Sequence, residues 1–595
     1  MSKSTVRYVI NPPTSFGHFI TFLLSIAHPM DNHLWLLAPL LALCIMSVSS
    51  KVFVSIDCGA SGSFIDENSI EWKGDNDLIS SGVAHAVQPN YSVSRVMNTL
   101  RVFTTRKKNC YSIEVEEGEK VLVRAGFNYG NYDNKSAPPN FDLLFDGNFW
   151  ITVNASELKI FEIVYVVKKK DISVCVAQTN PREFPFISTL EVRSLDSQLY
   201  SKFGTNHALL LQSRFGYALN QTIRFPLDPY DRMWVPARTT NLVHLTSDAS
   251  IINVKVPDNP PQAVLKNAVA TQNTSQFINL GFNVVDDPFR YPAYINWYFS
   301  EVRELNSSEL RSFRIFKDNL PFSLPIVPRF GEVVEYFISN LSLTTETNFS
   351  LNPLDDSTLP PLINAAELFS IRDALSNGTN NNDVEGLASL QNAFIVLQQW
   401  SGDPCLPAPY SWEWIKCSSD YIPRVTSINL NGFNLTGPLP DFSKMDALET
   451  IDLHNNSLSG PIPKFLGTLP NLKQLNLSDN QFTGSIPRWL SRNSKLNSTY
   501  TGNPVLCVNG KSCPGSGNNK TPIILGVTIP TVFILAIAVV LVVRHRRRKA
   551  SVPSHSGGTS SLSGGMQGTN KGVVELNRNS EERFYRSPTP LLSEG

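Results

Sequence analysis

Residues 523–543 constrain this chain more than any other stretch, because 21 successive positions carry no charge. At about 1.5 Å rise per residue they span about 30 Å, the thickness of a bilayer's hydrocarbon core. Pro530 lies inside the stretch, which a membrane helix tolerates. Arg544-His545-Arg546-Arg547-Arg548-Lys549 follow directly. Positive charge is retained on the cytoplasmic side, so residues 1–522 are expected outside and 544–595 inside. The expectation is a single-pass type I protein of the plasma membrane with its N-terminus extracellular.

The first 50 residues read as a signal-peptide region. An apolar run at 34–48 is followed by Val48-Ser49-Ser50, small residues that suit a signal peptidase. Met30 directly precedes that run and is a candidate for the true start. Once Cys44 is removed, seven cysteines remain: 58, 110, 175, 405, 417, 507 and 513. All lie on the oxidising side, so disulfides are expected. Basic and acidic residues number 51 each, which gives no support for nucleic acid as a partner.

Asn-x-Ser/Thr sequons independently support the topology. There are 14, at Asn90, Asn134, Asn154, Asn220, Asn273, Asn306, Asn340, Asn348, Asn377, Asn434, Asn455, Asn476, Asn497 and Asn519. None follows the span, as expected for glycan acceptors confined to the outer side.

Residues 51–385 read as β-rich. Short β-branched runs, such as 51–56, 120–125, 161–167 and 251–256, alternate with Gly, Pro, Asn and Asp clusters. Pro185, Ile187 and Glu191 recur 176 residues later as Pro361, Ile363 and Glu367. Residues 121–127 resemble 293–299, 172 residues later. The expectation is two related sandwiches in tandem, 51–195 and 196–385.

Several motifs in this region appear in a familiar order: Ser55-Ile-Asp-Cys-Gly59, Asn109-Cys-Tyr111, Tyr129-Gly-Asn-Tyr-Asp133, Asp228-Pro-Tyr-Asp-Arg-Met-Trp234 and Leu359-Pro-Pro-Leu-Ile-Asn-Ala-Ala-Glu367. Together they resemble the malectin-like ectodomains of plant receptor-like kinases. The resemblance implies malectin-type β-sandwiches; malectin itself binds a disaccharide with aromatic rings and an aspartate. Tyr129, Tyr132 and Asp133 are therefore the candidate ligand-binding residues. Their rings suit sugar faces, and the carboxylate accepts hydroxyl protons. The competing reading has Gly130 making the turn and the tyrosines packing the sandwich edge. The 228–234 motif also has a structural reading, with Asp228 or Asp231 paired to Arg232 and Trp234 in the core.

Residues 392–400 read as a short helix presenting Ala393, Val396, Leu397 and Trp400. Trp400-Ser-Gly-Asp-Pro-Cys405, Trp412, Trp414 and Cys417 suit an N-terminal cap over 390–423, stapled by Cys405–Cys417. Three leucine-rich repeats follow over 424–495 with a period of 23–24. Their ladder asparagines are Asn456 and Asn480, and Phe433 stands in that place in the first repeat. Residues 496–522 are expected to hold a C-terminal cap, with Cys507–Cys513 paired by proximity. One pair among Cys58, Cys110 and Cys175 is also expected, its identity open. Sandwiches joined to this cap and repeats are similar to symbiosis-type and leucine-rich-repeat class I receptor-like kinases.

Residues 544–595 are Ser/Gly-rich, read as disordered, and carry no kinase motif. The sequence implies no catalytic motif, no metal and no cofactor. The fold class is mainly β: tandem malectin-like sandwiches, a short repeat solenoid, one membrane helix and a tail. The expected function is a receptor-like protein that binds an extracellular glycan or peptide and acts through a receptor kinase or co-receptor. A non-signalling cell-wall lectin or adhesion protein is the alternative.

Overall fold

A computed structural model describes residues 51–282 and 290–507. The expected leader, the span at 523–543, the tail, Asn519 and Cys513 lie outside the described residues. Among the described residues no helix is long and apolar enough to cross a membrane.

The fold is mainly β and is organised on one sheet of 11 strands. Phe53–Asp57, Thr189–Ser194, Lys120–Phe127 and Lys159–Val166 lie side by side in its first half. Leu209–Gly216, Ala365–Ile371, Ala293–Phe299 and Val334–Leu341 continue it. The sheet does not break at the expected boundary near 195. Ile163 and Val164 pair with Leu210 and Leu209, so hydrogen bonding runs from one half into the other.

Each half carries its own core. Val121, Val123, Ala125 and Phe127 pack with Phe141, Phe161 and Phe186. This core lies against a four-stranded sheet that includes Lys108–Glu114 and Asp171–Gln178. In the second half Ile295, Trp297 and Phe299 pack with Phe313, Ile315 and Phe349. Alternate side chains point to opposite faces of a strand, so Leu122 and Tyr294 leave these cores and meet on the other face with Tyr200 and Phe369. Burial on both faces explains why Lys120–Phe127 is buried along its whole length.

The internal sequence matches fall on equivalent strand pairs. Arg124 stands opposite Glu191 in the first half, and Asn296 opposite Glu367 in the second. The far face also holds an ionic network. Arg124 pairs with Glu162 at 2.8 Å, and Arg214 with Glu162 at 2.7 Å and Glu367 at 2.5 Å, which links the halves. Arg193 joins Glu191 at 2.6 Å and Asp231 at 2.8 Å. Charges this deep are tolerated only when each has a well-placed partner.

The helix before the repeats differs from expectation. It runs over Asn381–Ala393, and a 3-10 turn follows at Ile395–Gln399. Asn380 caps it by accepting from the Asn382 N–H at 3.0 Å, and Leu387 and Leu390 are its buried face. Of the face expected over 392–400, Leu397 is buried but Val396 is 37% exposed.

In the repeats, Val425–Asn429, Thr450–Asp452 and Gln474–Asn476 form a parallel sheet that gains a fourth rung, Asn497–Thr499. The ladder extends with it. Asn456 Nδ2 donates to Leu430 O at 2.8 Å, Asn480 Nδ2 to Leu453 O at 2.9 Å and Asn503 Nδ2 to Leu477 O at 2.9 Å. Asn503 lies in the segment expected to be the cap, and its 23-residue spacing from Asn480 marks it as the next ladder position.

Cys405 and Cys417 are joined, as are Cys110 and Cys175, which face each other in register on neighbouring strands. Cys58 is a buried free thiol. Cys507 is disulfide-bonded.

Candidate ligand-binding site

The strand Lys120–Phe127 runs into the turn that carries the three candidate residues. Asn128 fixes the exit: its N–H donates to Ser188 Oγ at 3.0 Å and its Nδ2 to Met97 O at 2.9 Å. Gly130 then adopts φ +48° with its Cα against Val87, where a Cβ would meet the valine side chain at 2.3 Å. The turn closes with Tyr132 N–H donating to Tyr129 O at 3.2 Å.

The three residues are brought together, but they are not equally available. Tyr129 is 8% exposed and its hydroxyl donates to Asp133 Oδ1. Burial and that carboxylate push its phenol up to about 12. Asp133 also accepts from the Lys135 N–H at 3.2 Å and pairs with Lys135 Nζ at 3.2 Å. Burial alone pushes the Asp133 carboxyl up, but the hydrogen bonds from Tyr129 and Lys135 outweigh it and hold it below the usual range. It is therefore an anion across the physiological range.

Tyr132 is the more exposed of the two rings. It is half-buried, edge-on to Tyr129 at 5.5 Å and tilted against Phe186 at 6.2 Å. The His85 ring lies 5.0 Å away. His85 belongs to Val83–Ala86, a strand exposed along its length. The residues Val83-Ala-His-Ala86 form no motif, so sequence reading missed His85; only the fold places it beside Tyr132. Tyr132, His85 and the Asp133 carboxylate together form a small aromatic shelf beside an anion. Such a shelf can stack a flat apolar face and accept hydroxyl or amide hydrogens at its edge.

The 228–234 motif is structural. Asp228 Oδ2 accepts from Arg232 Nε and Trp234 Nε1, both at 2.8 Å, and all three side chains are fully buried. Asp231 accepts from Arg193 Nε at 2.8 Å and from Arg224 Nε at 2.8 Å.

Trp400-Ser-Gly-Asp-Pro-Cys405 proves to be a docking motif. Lys108 Nζ donates to Asp403 O at 2.7 Å and Leu406 O at 2.9 Å, and burial lowers its ammonium to about 8. Gly402, at φ +73°, lies against the Cys110–Cys175 disulfide, and a Cβ there would meet Cys110 Sγ at 2.5 Å. Tyr410 OH donates to Asp142 at 2.6 Å.

Two open clefts lie on the surface of the described residues. One of about 660 Å³ is lined by Tyr217, Arg238, Phe277 and Asn279 among others. The other, about 500 Å³, lies on the outer face of the repeat sheet, with Lys416, Glu449, Gln474, Asn476 and Asn497 among its walls. Twelve of the sequon asparagines are exposed and Asn476 is half-buried.

Comparison with known proteins agrees with this architecture. The Malectin-like domain family matches residues 56–371, and the Leucine Rich Repeat family matches 447–469 and 471–493. "Uncharacterized protein At1g24485" of Arabidopsis thaliana is 37% identical over 354 residues, 58% of this chain and 70% of that protein. The Arabidopsis thaliana LRR receptor-like serine/threonine-protein kinase IOS1 is 30% identical over 429 residues, 69% of this chain and 47% of the kinase. The chain thus spans about half the length of the receptor-like kinases it matches. The ANX2 ectodomain of Arabidopsis thaliana aligns over 54% of this chain and 97% of its own length, at 16% identity and a TM-score of 0.47. The chain belongs to the malectin-like domain family, with leucine-rich repeats following the malectin-like domain.

Proposed function

We propose that this chain is a single-pass cell-surface receptor-like protein whose malectin-like part binds an extracellular carbohydrate or peptide. It acts through a partner kinase or co-receptor. The observation that carries the reading is the half-open Tyr132 ring beside exposed His85 and the Asp133 carboxylate. That shelf stands on a chain whose relatives include proteins named receptor-like kinases. The finer division is part of the proposal: two sandwiches over 51–195 and 196–385, a span at 523–543 and glycans on the outer sequons. The reading is one of binding; no bond is made or broken at the shelf.

The test is co-purification. Full-length protein from plant cell membranes is expected to bring down a kinase, and deletion of residues 551–595 is expected to lose it. Equal cell-wall association with and without the tail, and no kinase in either sample, would contradict the reading and favour the non-signalling lectin or adhesion protein.

A further inference from the structure

The outer face of the repeat sheet is where a ligand would be sought on such a stack, yet two of the sequons stand on it. Gln474, Leu475 and Asn476 form one rung and Asn497, Ser498 and Thr499 the next, paired in parallel with Gln474 opposite Asn497. Strand alternation turns Leu475 into the core, where it is 2% exposed, and leaves its neighbours facing outward. Asn476 and Asn497 accordingly line the same cleft of about 500 Å³, with Lys416, Glu449 and Gln474.

The local hydrogen bonding leaves the side-chain nitrogen of both asparagines free for attachment. Asn476 Oδ1 accepts from Ser478 N–H at 3.2 Å and Ser478 Oγ at 2.7 Å. Its Nδ2, the atom an N-glycan joins, is not used by those bonds. Asn497 engages the sheet through its backbone, its N–H donating to Lys473 O at 2.9 Å, and its side chain is exposed. The ladder asparagines are the opposite case. Asn480 spends its Nδ2 on Leu453 O, Leu477 O and Ser478 O and is 3% exposed.

We propose that N-linked glycans on Asn476 and Asn497 occupy this cleft and close the outer face of the repeats to protein ligands. The ligand is thereby directed to the malectin-like part. The modification takes place on the entering chain. The amide nitrogen forms a bond to C1 of a lipid-pyrophosphate-linked oligosaccharide, the C1–O bond to pyrophosphate breaks, and the amide gives up one proton. An N-glycan is bulky and solubilising, and two on adjacent rungs of a four-rung face leave little of it uncovered. The inference rests on the outward placement of residues 51–522.

Asn154 and Asn434 separate the two ideas, being exposed sequons that do not line the cleft. Full-length protein from plant cells is digested, and glycosylated asparagines are marked by enzymatic release in heavy-oxygen water and read by mass spectrometry. Occupancy is expected at all four sites. Occupied Asn154 and Asn434 with empty Asn476 and Asn497 would overturn the proposal while sparing the outward placement. No occupancy at any of the four would overturn both. Shielding has its own readout, a cysteine placed by Gln474→Cys and labelled with a polymer maleimide. Labelling is expected to rise about tenfold when Asn476→Gln and Asn497→Gln remove the bulky glycans. Equal labelling in the two backgrounds would overturn the shielding even with both sites occupied.

Discussion

The malectin-like region and the repeat stack bury polar groups in opposite ways. The repeats use neutral amides. Asn456, Asn480 and Asn503 each bond backbone groups of their own and the preceding turn, and the same solution recurs every 23–24 residues. The malectin-like region uses full charges from strands far apart in sequence. Arg214 draws Glu162 and Glu367 together across a separation of 205 positions, 162 to 367. The amide solution is local and modular. The ionic one is non-local and ties the two halves of the sheet into one body.

The largest expected effect follows from that contrast. Arg214→Ala leaves Glu162 and Glu367 without a shared cation in a fully buried place. The expected loss is about 3–5 kcal/mol, read as a lower unfolding midpoint of the malectin-like region by calorimetry. Asn480→Ala is expected to cost less, about 1–3 kcal/mol. It takes the Asn480 Oδ1 acceptor from the Leu458 N–H and leaves Leu453 O with Asn456 Nδ2 alone, and hydrogen exchange should confine the damage to the repeats. If both variants cost the same, or if Asn480→Ala loosens the malectin-like strands, the contrast fails.

Gly402→Ala tests where the two regions meet. Its positive φ and the Cys110 sulfur leave no room for a Cβ, so about 1–3 kcal/mol of strain is expected. Faster exchange at Lys107 and Cys405, whose amides are bonded at this junction, would report it.

A further expected effect concerns pH. Burial and the Asp258 carboxylate raise Glu335 from 4.5 to about 8. The folded state therefore holds a proton that the unfolded state releases, and stability falls as pH rises from 4.5 to 8. Glu335→Gln is expected to flatten that part of the pH profile. Glu191 and Glu367 have the opposite sign. Burial pushes them up, but Arg224, Arg124 and Arg214 hold them below the usual value. The stability they contribute is lost as pH falls below the carboxylate range.

What could be read from the sequence follows the same division. The repeats were legible because their positions have a fixed period, and even the additional rung is marked by Asn503 at that spacing. The strand pairs were legible where Glu191 and Glu367 repeat. The continuous sheet was not, because the Ile163–Leu210 pairing leaves no pattern in a run of buried residues. The pairing of Cys110 with Cys175 needed the register of two strands. At the candidate site, the tyrosines and Asp133 were legible from the turn. That Tyr129 is buried and tied to Asp133 while Tyr132 stays partly exposed depends on Phe186 and His85, which arrive from other strands. The helix was misplaced because Asn380 gives a capping signal only when the buried pair Leu387 and Leu390 is taken as its face.

The central claim is that this chain binds a ligand at Tyr132. The most direct measurement applies detergent-solubilised full-length protein to an array of cell-wall glycans and peptides, beside Tyr132→Ala. Expected are binding by the native chain and about a tenfold loss on removing the ring, the ~1.4 kcal/mol at the upper end of what one aromatic contact supplies. Binding that Tyr132→Ala leaves unchanged would move the site elsewhere, and no binding to any glycan or peptide would contradict the claim.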